Sequence, residues 1–335
     1  MVYSFQLIQH ANIRYREAVS RLGRCELLYL LHALGIESPV VSEKLGGAEF
    51  LTFEAPELSA DALSALRSHS SVAFMARREG DALYPLTVPS VSWLPEDLPE
   101  VLKYKGKTSV PFTRMMINIA LSLTPFFGQA SPVTVLDPMC GKGTSLFCAL
   151  QHGMNGIGID LDSRDVKEAC DYFTRYLKYH GLKHTVKAVS ETVGGHPVPV
   201  TVFSFSNDND AYRAGDIRTL KMSTADASCA AGLTRKSGAH ILTADLPYGI
   251  QHAPQNGRKP EPFTETLRRV LPAWYNALLP GGAIALSFNT LTLPSSKAAA
   301  LVADAGFTVC PDDRLRHEVE QAVVRDVVFA RKPLL

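Results

Sequence analysis

With 335 residues, 46% of them hydrophobic and 20% charged, the chain has material for one large domain and a smaller one. Lys and Arg (34) nearly balance Asp and Glu (33), so no global field draws a polyanion and any nucleic-acid surface must be local. The six cysteines contain no C-x-x-C pair, which argues against a zinc site or disulfide framework and for reduced thiols in a cytoplasmic protein.

Met1 to His10 lacks the basic start and apolar run of a signal peptide, and no stretch has the apolar length of a membrane span. Residues 1–90 read as a small α/β domain. Ser4 to Gln9 suits a strand; Tyr15 to Leu34 has helical apolar spacing and stops at Gly35. Ala48 to Phe53 is a second strand, Ser59 caps a helix through Arg67, and Val72 to Arg77 is a third strand. Residues 91–107 are a linker, introduced by the Pro- and Ser-rich stretch from Pro85 to Pro99. Its lysines, Lys103, Lys105 and Lys107, suit either a phosphate contact or a solvated loop.

The region 108–335 alternates strands with helices, the pattern of a doubly wound, mostly parallel sheet. Strands are expected at 133–136, 156–160, 211–214, 240–244, 283–288, 307–310 and 323–330, with helices at 144–151, 163–180, 263–279 and 295–305. The last strand has no long helix before it and is expected to pair antiparallel with 307–310. Between 184 and 210, two apolar runs flank Gly194-Gly195 and read as an inserted β-hairpin.

The sheet is organised around VTVLDPMCGKGT (Val133 to Thr144) and GIGIDLD (Gly156 to Asp162). The first is a buried strand breaking into a glycine loop that hands over to a helix. Gly141 and Gly143 let main-chain N–H groups approach a ligand. In the second, Asp160 ends a strand, where a carboxylate can accept both hydroxyls of a ribose. The dinucleotide fingerprint fails because Leu146 stands where its third glycine belongs, and the P-loop spacing fails because Leu136 stands where its first belongs. Asp137, opening the loop, would repel a pyrophosphate and suits a cationic, amine-bearing ligand such as S-adenosylmethionine. An ordinary strand–turn–helix is the plain alternative.

A third strand end, AHILTADLPYG, carries Asp245, Leu246, Pro247 and Tyr248. In a parallel sheet it shares a rim with Asp137 and Asp160. Hydrogen bonds from an exocyclic base amine to the Asp245 carboxylate and the Leu246 carbonyl would turn the nitrogen lone pair toward a methyl donor. Tyr248 offers a face for stacking a flipped base, and Pro247 stiffens the turn. The polar stretch Gln251 to Pro262 suits a lid over nucleic acid or a plain surface loop.

Together DPMCGKGT, GIGID, GDIRTL and DLPYG resemble the class I SAM-dependent methyltransferases, most of all the THUMP-linked tRNA guanosine-N2 methyltransferases. The resemblance covers about Thr108 to Pro333 and implies a Rossmann-like, doubly wound seven-stranded sheet with an antiparallel last strand. It implies that Asp137, Gly141 and Gly143 hold the methionine end of the cofactor, Asp160 its ribose and Asp216 its adenine, with Met139, Cys140, Thr144, Leu161, Ile217 and Asp245 also among the cofactor-binding residues. Phe112, Thr113 and Arg114 would line the pocket, and Asp245 through Tyr248 would receive the base. Lys142 departs from the family's serine, and residues 1–90 match no THUMP domain, reading as a diverged RNA-recognition module or another partner-binding module. The expected partner is tRNA, with room for a small activating subunit and no membrane. Rival readings are a DNA adenine-N6 or cytosine-N4 methyltransferase, and a non-catalytic SAM- or RNA-binding protein.

Overall fold

The computed structural model describes residues 1–8, 13–104, 106–247, 262–320 and 322–334. Its first sheet is antiparallel and contains β1 (Val2–Leu7), β2 (Val41–Leu45), β3 (Ala48–Glu54), β4 (Val72–Glu79) and β5 (Ala82–Pro85), in the order β2-β3-β1-β4-β5. Helices α1 (Ile13–Ala33) and α2 (Ala60–Arg67) cover its apolar face, Leu27, Leu30, Leu31 and Leu66 meeting Phe5, Leu51 and Phe53. As expected, Ser59 caps α2, its Oγ accepting from the Ala62 nitrogen at 3.2 Å. The sequence reading had not identified β2 or β5. Both are short, mostly exposed edge strands whose pairing comes from their neighbours rather than from apolar alternation.

The second sheet has ten strands rather than seven. They are β6 (Thr134–Asp137), β7 (Asn155–Asp160), β8 (His184–Val193), β9 (His196–Phe205), β10 (Arg218–Thr224), β11 (Ala239–Asp245), β12 (Leu278–Asn289), β13 (Thr308–Cys310), β14 (His317–Glu320) and β15 (Val323–Arg331). The order is β13-β15-β12-β11-β6-β7-β10-β9-β8, with β14 also on β15. The central strands β12, β11, β6, β7 and β10 are parallel and both flanks are antiparallel. The expected antiparallel pairing of the last strand with 308–310 is present. The hairpin around Gly194-Gly195 is also present, but it joins the sheet by pairing β9 with β10.

One expected strand is a helix. Residues 211–214 lie in α7 (Asn209–Ala214), because Asp208 caps the turn by accepting from the Asp210 and Ala211 nitrogens and Gly215 ends it at φ 84°. The third parallel strand therefore begins only at Arg218.

Strand alternation sorts the core onto two faces. One bears Val135, Ile241 and Ala285 and is covered by α4 (Val110–Ser122), with α5 (Thr144–Gln151) and α6 (Ser163–Tyr179) alongside. The other bears Leu136, Leu242 and Leu286 and is covered by α9 (Phe263–Ala277) and α10 (Ser295–Asp304). The two sheets meet through a buried polar junction. Glu26 of α1, fully buried, accepts from the Ser70 nitrogen at 2.9 Å, from Ser70 Oγ at 2.5 Å and from Asn118 Nδ2 of α4 at 2.7 Å. His69 Nε2 donates to the Gly23 carbonyl at 2.8 Å. Among the described residues no helix is long and apolar enough to cross a membrane.

Candidate active site

Strand β6 is first in the parallel series; β7 and β10 lie on one side of it and β11 and β12 on the other. Such a reversal opens a crevice at the carboxyl ends of the strands. Register deepens it. Asp137, the last residue of β6, is opposite Gly158, so β7 continues two residues further to Asp160. On the other side Leu136 is opposite Leu242, so β11 likewise continues past β6 to Asp245. Two residues of strand amount to about 7 Å, leaving a notch over β6 flanked by two carboxylates, with a third at its floor. Alternation puts all three on the α4 face, in line with Val135, Gly158 and Ile241.

Asp137 is 3% exposed. It accepts from the Met139 nitrogen at 3.0 Å and from the Ser145 hydroxyl. Burial nonetheless pushes its carboxyl up to about 7, and the neighbouring Asp160 and Asp245 charges push the same way. Asp160 is fixed by two main-chain donors, Gly141 at 2.7 Å and Asp162 at 2.9 Å. The loop between them turns through Gly141 (φ 48°) and Gly143 (φ 85°). A Cβ on Gly143 would lie 3.4 Å from the Phe147 ring. Cys140 is buried, its nitrogen bonded to the Ile159 carbonyl at 3.0 Å, whereas Leu161 is 65% exposed on the rim. Lys142 reaches back to α6, 2.5 Å from Glu168, so its departure from serine does not intrude on the crevice. Thr144 Oγ1 meets the hydroxyl of Tyr104 at 2.7 Å, and burial holds that phenol up near about 12.

At the third strand tip, Asp245 accepts the Thr108 hydroxyl on Oδ2, and the Arg325 guanidinium lies 3.7 Å from the same oxygen. Arg325 is 7% exposed and sits over the Phe112 ring, 4.7 Å from its centroid. Leu246 is buried and its nitrogen donates to the Ser287 carbonyl at 2.8 Å; Pro247 follows, half-buried. Tyr248 and the polar stretch 251–261 lie outside the described residues.

Several expected cofactor residues are elsewhere. Asp216 and Ile217 precede β10, whose carboxyl end, at Thr224, is the end level with Asp160. They therefore sit at the amino edge of the sheet, a full strand from the crevice, where Asp216 pairs with Arg218. The rim position after β10 belongs to Ala225 and Asp226, the Ala225 nitrogen bonding the Asp160 carbonyl at 3.0 Å. Asp226 accepts from Ser228 at 2.9 Å and from Arg269 at 2.7 Å. Its signal in the sequence was the end of the alternating run Leu220, Met222 in TAD. Thr113 spends its hydroxyl on the Ser109 carbonyl at 3.1 Å, and Arg114 reaches Gln151 at the far end of α5. Of that trio only Phe112 lies near the crevice, beneath Arg325. Thr108, Arg325 and Tyr104 were not singled out from sequence. A cavity of about 210 Å³ beside Gly281 and Arg331 lies at the opposite edge of the sheet and carries none of these groups.

No protein-family model matches the chain, and no curated protein does. Among solved structures it is similar to the rRNA methyltransferase AviRa of Streptomyces viridochromogenes, at 16% identity and a TM-score of 0.41, covering 68% of this chain and 88% of that one. It is also similar to TrmN from Thermus thermophilus, at 18% identity and a TM-score of 0.39, covering 90% of this chain and 64% of that one. A third is the 16S rRNA N2 methyltransferase RsmC of T. thermophilus, in complex with AdoMet and guanosine, at 16% identity and a TM-score of 0.40, covering 88% of this chain and 58% of that one. The chain thus spans less than two thirds of the length of the latter two. Likeness of this degree assigns neither activity nor residue roles. What stands on the chain's own geometry is an acidic crevice at the switch point of a doubly wound sheet, suited to a cationic ligand beside a hydrogen-bond acceptor.

Proposed function

We propose that the chain is an S-adenosylmethionine-dependent methyltransferase acting on an exocyclic amine of a nucleic-acid base, guanine N2 of tRNA being the substrate the sequence resemblance favours. One observation carries the reading: Asp137, Asp160 and Asp245 end adjacent parallel strands, on one face, around a single notch. The donor set fits the cofactor. Burial, with a smaller push from the Asp160 and Asp245 charges, lifts Asp137 toward neutrality, and a ligand bearing an ammonium and a sulfonium would favour its charged form. Positive-φ glycines let the chain pass close to the ligand.

When bound, the cofactor supplies a methyl group made electrophilic by its sulfonium. Asp137 and the loop through Gly143 bind the amino-acid end, Asp160 the ribose hydroxyls, and Asp226, in place of Asp216, the adenine amine. Asp245 accepts a hydrogen bond from the base amine and the Leu246 carbonyl a second, which aims the nitrogen lone pair at the donor. The nitrogen would shed one proton on receiving the methyl group, and the Asp245 carboxylate is placed to accept it. The first sheet is read as the module that presents the RNA.

Two measurements test this. Calorimetry with S-adenosylhomocysteine must show binding. Mass spectrometry of nucleosides from a deletion strain must show N2-methylguanosine missing from tRNA. Loss of methyladenine or methylcytosine from DNA moves the substrate to DNA, and cofactor binding with no nucleoside lost makes the chain a non-catalytic binder.

A further inference from the structure

We infer that Arg325 and Thr108 are positioning residues for methyl transfer: together they fix the place and the torsion of the Asp245 carboxylate. This rests on the reading of Asp245 as the amine acceptor. Two segments distant in sequence converge on one carboxyl oxygen. Thr108, two residues before α4, donates its hydroxyl to Asp245 Oδ2. Arg325, in β15, brings its guanidinium to 3.7 Å from the same atom. Phe112, in the first turn of α4, holds that guanidinium from the other side, 4.7 Å from ring centroid to central carbon.

The arrangement answers a specific difficulty. Asp245 shares its rim with Asp137 and Asp160, and like charges so placed repel one another, so a carboxylate with no cation beside it would swing out of line with the amine. A guanidinium cannot lose its charge in a protein, and at 7% exposure this one is little screened by water. Its cross-strand partner on β14, His317, is kept neutral by burial, its pKa lowered to about 4, and so adds no competing charge. Two groups on one oxygen also set the carboxylate torsion, and a carboxylate rotated out of line points the amine lone pair away from the donor. Neither residue makes or breaks a bond. A purely structural ion pair would not require an invariably charged partner on the one strand tip that bears the proposed amine acceptor.

The experiment uses the full chain, labelled S-adenosylmethionine and total tRNA from a strain lacking the protein. Arg325→Met is expected to lower kcat about 100-fold and Thr108→Val about 10-fold, with KM for tRNA and the Kd for S-adenosylhomocysteine within about 3-fold of wild type. Arg325→Lys, which keeps the charge but not the fork, should recover to within about 10-fold of wild-type kcat. If Arg325→Met does not fold, Thr108→Val and Arg325→Lys decide. Wild-type kcat in Arg325→Met, or in Thr108→Val, overturns the inference while leaving the acceptor role of Asp245 intact. A wild-type chain that binds cofactor and methylates nothing removes that role, and the inference with it.

Discussion

The Asp160 carboxylate accepts the main-chain N–H of Gly141 at 2.7 Å, so the tip of β7 holds the loop that leaves β6. A second bond, from Asp162 at 2.9 Å, keeps the other oxygen in place. Hydrogen bonds to a charged group contribute about 1.5–3 kcal/mol each, and Asp160 also serves the proposed ribose. Asp160→Ala should therefore weaken S-adenosylhomocysteine binding by about 100-fold in titration calorimetry, and Asp160→Asn, which still accepts from Gly141, by about 10-fold.

Affinity for the cofactor should depend on pH through Asp137. Its carboxyl titrates near 7 in the ligand-free protein, and a cationic ligand pulls that value down. Binding below pH 7 then releases a proton, and affinity climbs as pH rises toward 7 and levels off above it. Calorimetry in buffers of different ionisation enthalpy reads the proton directly, and Asp137→Asn should flatten the profile.

The same group sets a stability window. Its folded value, about 7, lies above the ordinary 3.8, so the native state keeps a proton that the unfolded chain has released. Stability of the ligand-free protein should fall as pH rises from about 4 to about 7, and Asp137→Asn should stabilise it at pH 8 by roughly 2–4 kcal/mol while weakening cofactor binding. Urea titrations at the two ends of that range check the sign.

Gly158 lies where β7 passes under α5. A Cβ there would approach Leu146 Cδ1 to 2.5 Å, Met222 Sδ to 2.7 Å and Cys140 Sγ to 3.0 Å. Leu146 and Met222 are fully buried, so the side chains have little room to yield. Gly158→Ala should cost about 1–3 kcal/mol in denaturant unfolding and, by pushing on Cys140, weaken cofactor binding as well.

Asp226 and Asp216 can be told apart simply. Asp226→Asn should reduce S-adenosylhomocysteine affinity about 10-fold, whereas Asp216→Asn, at the far edge of the sheet, should leave it unchanged. The reverse result would restore the role expected of Asp216.

Asp137, Asp160 and Asp245 were legible because each closes an apolar, β-rich run and is followed by Gly, Pro or a capping residue, a local signal of a strand end. Asp216 misled for a local reason too: Gly215-Asp216 imitates such an end, but Asp208 and Gly215 enclose a helical turn and the true strand starts after it. The Gly194-Gly195 hairpin was readable, whereas its pairing with β10 was not, since edge pairing leaves no mark in either strand. Thr108 and Arg325 were invisible for the same reason. The antiparallel return of β15 beside β12 brings Arg325 to Asp245 and the approach of α4 brings Thr108, contacts across 80 and 137 residues that no window of sequence contains.

Because Glu26 is held by Ser70 on one side and Asn118 on the other, loss of either partner would leave a buried carboxyl group short of a hydrogen bond. The helix that α1 grips at Asn118 is the one whose first turn carries Phe112, which sits against Arg325 beside Asp245. Heat or chaotrope applied to the first sheet is thus felt at the Asp245 strand tip, and the molecule should come apart in a single step. Cutting the chain near residue 90 would not free a self-sufficient second domain; it would leave a scar along α4.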